Sequence, residues 1–157
     1  MNQSDRETKN PPETQPSTKK YEDAIDEATR LSSEVLDIIN LRGKVTKPGP
    51  GPLPCDDTED DHYRIDHPWS VYGVPVADME KSMERLKKDL PKHSWDIRSY
   101  GPDASKAKSL ELTAEHKERG FSLIITLQDR RDRSKNPSLI EVNLQSPCYK
   151  RPDGPGA

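Results

Sequence analysis

SWDIRSYGPDASKAKSLELTAEHKERGFSLIITLQDRRDRSKNPSLIEVNLQ, residues 94–145, decides the architecture of this chain. Four short runs within it carry apolar residues at alternate positions. Ser94–Tyr100 places Trp95 and Ile97, and Ser109–Glu115 places Leu110, Leu112 and Ala114. Phe121–Leu127 is the most apolar run of the chain, and Leu139–Gln145 holds Leu139, Ile140, Val142 and Leu144. A period of two marks a strand with one face buried. Gly101-Pro102-Asp103, His116–Gly120 and Asp129–Pro137 lie between the runs and read as turns. The spacing predicts a four-strand antiparallel meander over 94–145.

Upstream the period changes. Across 77–90, Met79, Met83, Leu86 and Leu90 form one stripe, with Glu80, Lys81, Glu84, Lys87 and Lys88 opposite, and Pro91 follows. This is an amphipathic helix, and its methionines read as core. Before it, residues 62–74 have the aromatic and β-branched content of a strand, interrupted by Pro68. Proline there predicts an edge strand, a bulge, or two short pieces. Residues 44–54 hold Pro48, Pro50, Pro52 and Pro54 with two glycines and read as a loop. Residues 21–41 predict a long first helix, with Tyr21, Ile25, Ala28, Ser32, Val35 and Ile39 at steps of three and four and a stop near Gly43. The fold class is α+β: a β-meander of four to five strands packed with two helices. Trp69, Trp95, Tyr63, Tyr72 and Tyr100 are expected mainly in the core, because the chain has only eight aromatic residues.

Residues 1–20 contain no Leu, Ile, Val, Phe, Tyr or Trp, and residues 151–157 hold two prolines and two glycines. Both read as tails that bury too little apolar surface to offset the entropy of ordering. Residues 21–150 are then a single domain. Over the whole 157 residues, 25 Lys and Arg oppose 28 Asp and Glu, a net charge of −3. That balance argues against a general nucleic-acid binder. No run of about 18 apolar residues exists to form a spanning helix. The first residues do not read as a signal peptide.

The two cysteines, Cys55 and Cys148, are 93 positions apart, which excludes CxxC redox and zinc-knuckle spacing. One precedes the first long strand and the other follows the last, in Leu53-Pro54-Cys55 and Ser146-Pro147-Cys148. A bond between them would staple the two ends of the sheet. The alternative is a pair of unrelated thiols, the rule in a reducing compartment.

Two charged segments are candidate partner-binding surfaces. The first is the acidic run 56–61, with Asp57, Asp60 and Asp61, followed by His62. It fails the EF-hand pattern, since the positions that need Gly and Glu hold His62 and Pro68. The second is the turn carrying Arg130, Arg131 and Arg133, whose charge is partly offset by Asp129 and Asp132. Otherwise each segment is a solvated loop. There is no nucleophile elbow, P-loop, dinucleotide fingerprint or zincin motif, and the two S-x-x-K matches lack their penicillin-binding partners. No cofactor, metal-ligand or catalytic set is discernible.

The order of these features resembles that of small exported actinobacterial lipoproteins. A long helix leads to a Pro/Gly loop and Cys55, then a strand and a Met- and Lys-bearing helix. A strand with Trp95-Asp96-Ile97 follows, then three more strands and a closing Ser146-Pro147-Cys148. The resemblance covers about residues 21–150 and implies export, a lipid-anchored form, and residues 1–20 as spacer. It implies no catalytic residues. The resulting expectation is a non-catalytic, secreted or envelope-tethered binding domain that is monomeric and meets the membrane only through an N-terminal lipid. Its partner would be an envelope component, another protein, or a secreted toxin that it neutralises in the manner of an immunity protein. The rival expectation is an intracellular interaction protein whose first helix pairs with a partner or with itself.

Overall fold

The computed structural model describes residues 16–56, 59–132 and 134–152. Its elements in chain order are α1 (Tyr21–Ile39), β1 (Lys44–Val45), β2 (Gly51–Pro54), β3 (His62–Tyr72) and α2 (Val76–Asp89). A 3-10 turn (Leu90–His93) leads to β4 (Trp95–Pro102), β5 (Leu110–His116), β6 (Ser122–Gln128), β7 (Leu139–Gln145) and β8 (Tyr149–Lys150). β4 to β7 form the expected meander, and β7 returns to pair with β3, so the chain is α+β. The sheet is antiparallel and has eight strands, more than the four to five expected, because β1, β2 and β8 all add to β3.

Those extra strands lie where prolines predicted a loop. Ile65 donates its N–H to Ser146 Oγ at 2.7 Å, and its carbonyl accepts from Ser146 N at 2.9 Å. Both backbone groups of Ile65 therefore face away from β2. Pro52, opposite Ile65, needs no donor, and the ladder falls on the Gly51–Asp66 and Leu53–Arg64 pairs. Pro52 and Pro54 thus turn their N–H-free nitrogens to the outer edge, where they block addition of another strand. Pro68 follows the same alternation. It stands opposite Asn143 of β7, and its nitrogen faces the gap between β1 and β2, where nothing pairs with it. β3 therefore runs unbroken through Pro68, which stands at a locally open edge of the strand, and neither the bulge nor the break offered as alternatives occurs there. At the opposite edge, a register shift between Ile97 and Ser99 breaks the regularity of β4.

α1 and α2 cover one face of the sheet. Ala24, Ala28, Leu31, Val35 and Ile39 of α1 meet Met79, Met83 and Leu86 of α2 and the inward residues of β3, β5, β6 and β7 in one core. Trp95, Tyr63 and Phe121 are its largest fully buried side chains. Each such side chain contributes about 1.5–3 kcal/mol on burial. Trp69 is buried as well, whereas Tyr72 and Tyr100 are half-buried.

α1 ends two residues before its expected limit. Asn40 takes the left-handed conformation at φ 54° and returns its N–H to Leu36, a role asparagine tolerates better than most residues. The last turn of α1 carries no basic residue. α2 supplies the missing cation: Arg85 donates to Ile38 O at 3.0 Å and to Ile39 O at 2.6 Å, and Ser82 Oγ also donates to Ile39 O. Arg85→Met keeps the stem and removes these donors. It should cost about 1.5–3 kcal/mol in urea unfolding, while exposed Lys81→Met should stay within about 0.5 kcal/mol. Gly43 is required by a close approach, because a Cβ there would sit 2.3 Å from the Tyr72 carbonyl oxygen.

The ends of the described chain are more ordered than the expected tails. Thr18 bridges Lys150 in parallel, Lys19 N–H bonds to Lys150 O at 3.0 Å, and Lys150 N–H bonds to Ser17 O at 2.9 Å. Arg151 N–H bonds to Asp61 O at 2.8 Å, and its guanidinium lies 5.0 Å from the Tyr63 ring centre. Ordering therefore begins before residue 20 and extends past residue 150.

Candidate functional site

Cys55 and Cys148 are bonded, with sulfurs 2.01 Å apart and Cα atoms 6.0 Å apart. Pro54 and Tyr149 both pair with Tyr63, one from each side. The bridge thus joins the two neighbours of β3 across the strand that separates them.

The two charged segments stand apart. Asp60 and Asp61 lie just before β3, and Arg130 and Arg131 follow β6 at the other end of the sheet, since Tyr72 pairs with Leu139. The length of β3 puts roughly 30 Å between them. Asp57 and Arg133 lie outside the described residues. Asp61 is engaged within the fold, 4.0 Å from Lys150 Nζ and 3.7 Å from His62 Nε2. Arg131 makes two bonds to the Asp129 carboxylate, at 2.9 and 2.6 Å, and Arg130 donates to Gln128 at 2.6 Å. Among the described residues, Asp60 and Asp61 do not come together with Arg130 and Arg131 in one site. Among the described residues, no group of three His, Cys, Asp or Glu is placed to hold a metal ion.

Two clusters of another kind emerge. The first is centred on Glu27, which α1 turns inward between Ala24 and Ala28, leaving it 5 % exposed. Lys19 Nζ reaches one carboxylate oxygen at 2.7 Å and Tyr149 OH reaches the same oxygen at 3.0 Å, while Arg119 donates to the other. Burial alone would raise the Glu27 pKa, but the hydrogen bonds from Lys19, Arg119 and Tyr149 outweigh it and hold the carboxyl below its usual range. Burial beside this carboxylate pushes the Tyr149 hydroxyl well up. Tyr63 OH donates to Lys19 O at 2.6 Å, which completes the hold on the N-terminal segment.

The second cluster lines a groove between α1 and the β1–β2 connection. Thr29, Ser32, Ser33 and Leu36 present one helix face, Val45 to Gly49 form the opposite wall, and His67 and Trp69 come from β3. Its volume is about 190 Å³. Ser32 Oγ lies 2.7 Å from His67 Nδ1. Burial lowers the His67 pKa against the opposing pull of Asp66, so the ring is neutral at pH 7. A serine hydroxyl at this distance from an imidazole is the first requirement of a nucleophile–base pair. The second is a group that orients the imidazole, and none is present among the described residues: the Asp66 carboxylate instead accepts from Gln145 at 3.1 Å. Trp69 is 4 % exposed, and its Nε1 has no hydrogen-bond partner among the described residues.

The sequence held one trace of each cluster. Ser32 occupies a position in an otherwise apolar stripe, and Glu27 sits beside Ala28 on the same helix. His67 is 35 residues from Ser32, and Arg119 and Tyr149 are 92 and 122 residues from Glu27, beyond the reach of any local pattern; of these partners Lys19 alone is near in sequence, 8 residues from Glu27. His116 proves structural: it is buried against Trp95, with ring centres 5.0 Å apart, and its Nδ1 accepts the Arg119 N–H at 3.1 Å. Comparison of the chain with protein-family models, curated proteins and solved structures finds no match to any of them.

Proposed function

We propose that this chain is a non-catalytic binding domain, exported and tethered to the cell envelope by its N-terminal end, with the α1 groove as its ligand-taking element. The observation that carries the reading is the Cys55–Cys148 bond. Such bonds form and persist in oxidising compartments. The placement of α1 supports a self-contained domain over a helix-pairing one, because its apolar stripe is spent on the core. An envelope component, a partner protein and a toxin to be neutralised all remain ligand classes of this reading.

The test is the intact mass of the protein isolated from its native source without reduction. The expected species is two hydrogens lighter than the reduced chain and carries a lipid at its N-terminal end. A reduced, unlipidated chain starting at Met1 would overturn the proposal.

A further inference from the structure

We infer that the open face of the sheet docks a basic protein, taking one of its lysine or arginine side chains along β6 between Glu111 and Glu141. This surface is separate from the α1 groove, and the inference goes beyond the reading above.

α1 and α2 cover one face of the sheet, and among the described residues no element covers the other. Leu123, Ile125 and Leu127 of β6 are buried in the core, so strand alternation sends Ile124 and Thr126 to the open face. β6 lies between β5 and β7, well inside the sheet. Ile124 is 45 % exposed there, the most exposed large apolar side chain among the described residues.

Charge surrounds it. Its direct neighbours, Thr113 on β5 and Asn143 on β7, are uncharged. Three of its four diagonal neighbours are glutamates, Glu111 and Glu115 on β5 and Glu141 on β7. Such positions lie about 7–8 Å away. Of the three, only Glu115 has a cationic partner among the described residues, Arg98 at 2.7 Å.

Thr126 is the independent observation. It stands directly opposite both Glu111 and Glu141. The residue is 8 % exposed, yet its hydroxyl has no hydrogen-bond partner among the described residues. Buried polar groups are almost always paired, so this one calls for a partner. Its oxygen keeps contact with solvent, unlike the sealed nitrogens of Arg64, Trp69 and Arg151, so a donor arriving from outside reaches it.

These features fit one kind of side chain. Two residues of a strand rise about 7 Å, the reach of a lysine or arginine stem. Its methylenes lie on Ile124 while its head donates to the Thr126 oxygen between two carboxylates. Nucleic acid and anionic lipid meet an excess of carboxylates here and are repelled. β3 to β7 make the face about 20 Å on each side, the footprint of a weak protein contact, whereas small molecules need a concave pocket.

The experiment uses the full chain, labelled with nitrogen-15, and follows its backbone amide signals. The probe is acetyl-Gly-Val-Arg-Val-Gly-amide, with norleucine or glutamate in place of arginine as controls. The arginine peptide should move the signals of Ile124, Thr126 and Glu111, with a Kd of about 1 mM. Norleucine should weaken binding about tenfold. Raising NaCl from about 20 to about 200 mM should weaken it several-fold. Glu111→Gln/Glu141→Gln should erase the preference for arginine over norleucine. Thr126→Val keeps the β-branched shape and should cost about threefold.

Equal binding of either control peptide, shifts centred on the acidic surface of α1 at Glu22, Asp23 and Asp26, or no shift at about 10 mM would overturn the inference. Tighter binding of spermidine at the same residues would overturn it in favour of a small polycation. None of these readings involves the Cys55–Cys148 bond or the N-terminal end. Failure here therefore leaves the exported reading standing, and a reduced, unlipidated native chain would leave this face untouched.

Discussion

The Cys55→Ser/Cys148→Ser double variant is expected to lose about 4–5 kcal/mol of unfolding free energy, the largest effect any small change should produce here. The bond closes a loop with a sequence separation of 93 residues. On chain-entropy grounds a loop of that length restricts the unfolded ensemble by about this amount. Domains of this size have only about 5–15 kcal/mol in total. Urea unfolding at neutral pH checks the value. The slope against denaturant should rise together with the loss, because the unbridged chain exposes more surface. A loss below about 1 kcal/mol would show that the packing of β2 and β8 on β3 suffices without the bond.

Removal of Glu27 is the second large effect. Glu27→Ala leaves Lys19, Arg119 and Tyr149 without their common acceptor. Breaking a fully buried ion pair costs about 3–5 kcal/mol. Lys19 and Arg119 can turn partly to water, with side chains 29 % and 42 % exposed, so about 2–3 kcal/mol is expected. The effect has a pH signature. The folded-state pKa of Glu27 is depressed below the ordinary 4.5, so its stabilisation is fully present above that value. It is lost as pH falls through the folded pKa. The difference between wild type and Glu27→Gln should therefore shrink as the pH falls below the ordinary value of 4.5. A difference that stays constant below that value would show that the carboxylate charge contributes nothing.

The meander was legible because its strands alternate so regularly. Leu110, Leu112 and Ala114, and then Leu139, Ile140, Val142 and Leu144, leave little choice of face or register. The prolines misled for a specific reason. A proline breaks a strand only where its nitrogen faces a paired neighbour, and that depends on which side of β3 is empty at Pro68 and which edge β2 presents. Residue identity does not encode either fact locally. Asn40 ends α1 in place of the more obvious Gly43, because a left-handed residue was available sooner. The groove was illegible for the same long-range reason. His67 carries no local signal of its role, which appears only where β3 lays it beside Ser32.

The parallel pairing of Ser17–Lys19 with Lys150 sets how the domain bears tension. A pull applied at Pro16 acts along this short strand, so the two backbone bonds to Lys150 are loaded together, in shear. The Lys19–Glu27 pair and the Tyr63 bond to Lys19 O resist the same displacement. β8 is itself paired to β3, and Cys148 beside it is bonded to Cys55 at the end of β2, so force enters the sheet at both neighbours of β3 before it can peel the first turn of α1. A domain pulled from this end would yield at a higher force than one pulled from a free helix terminus, where the bonds open one at a time.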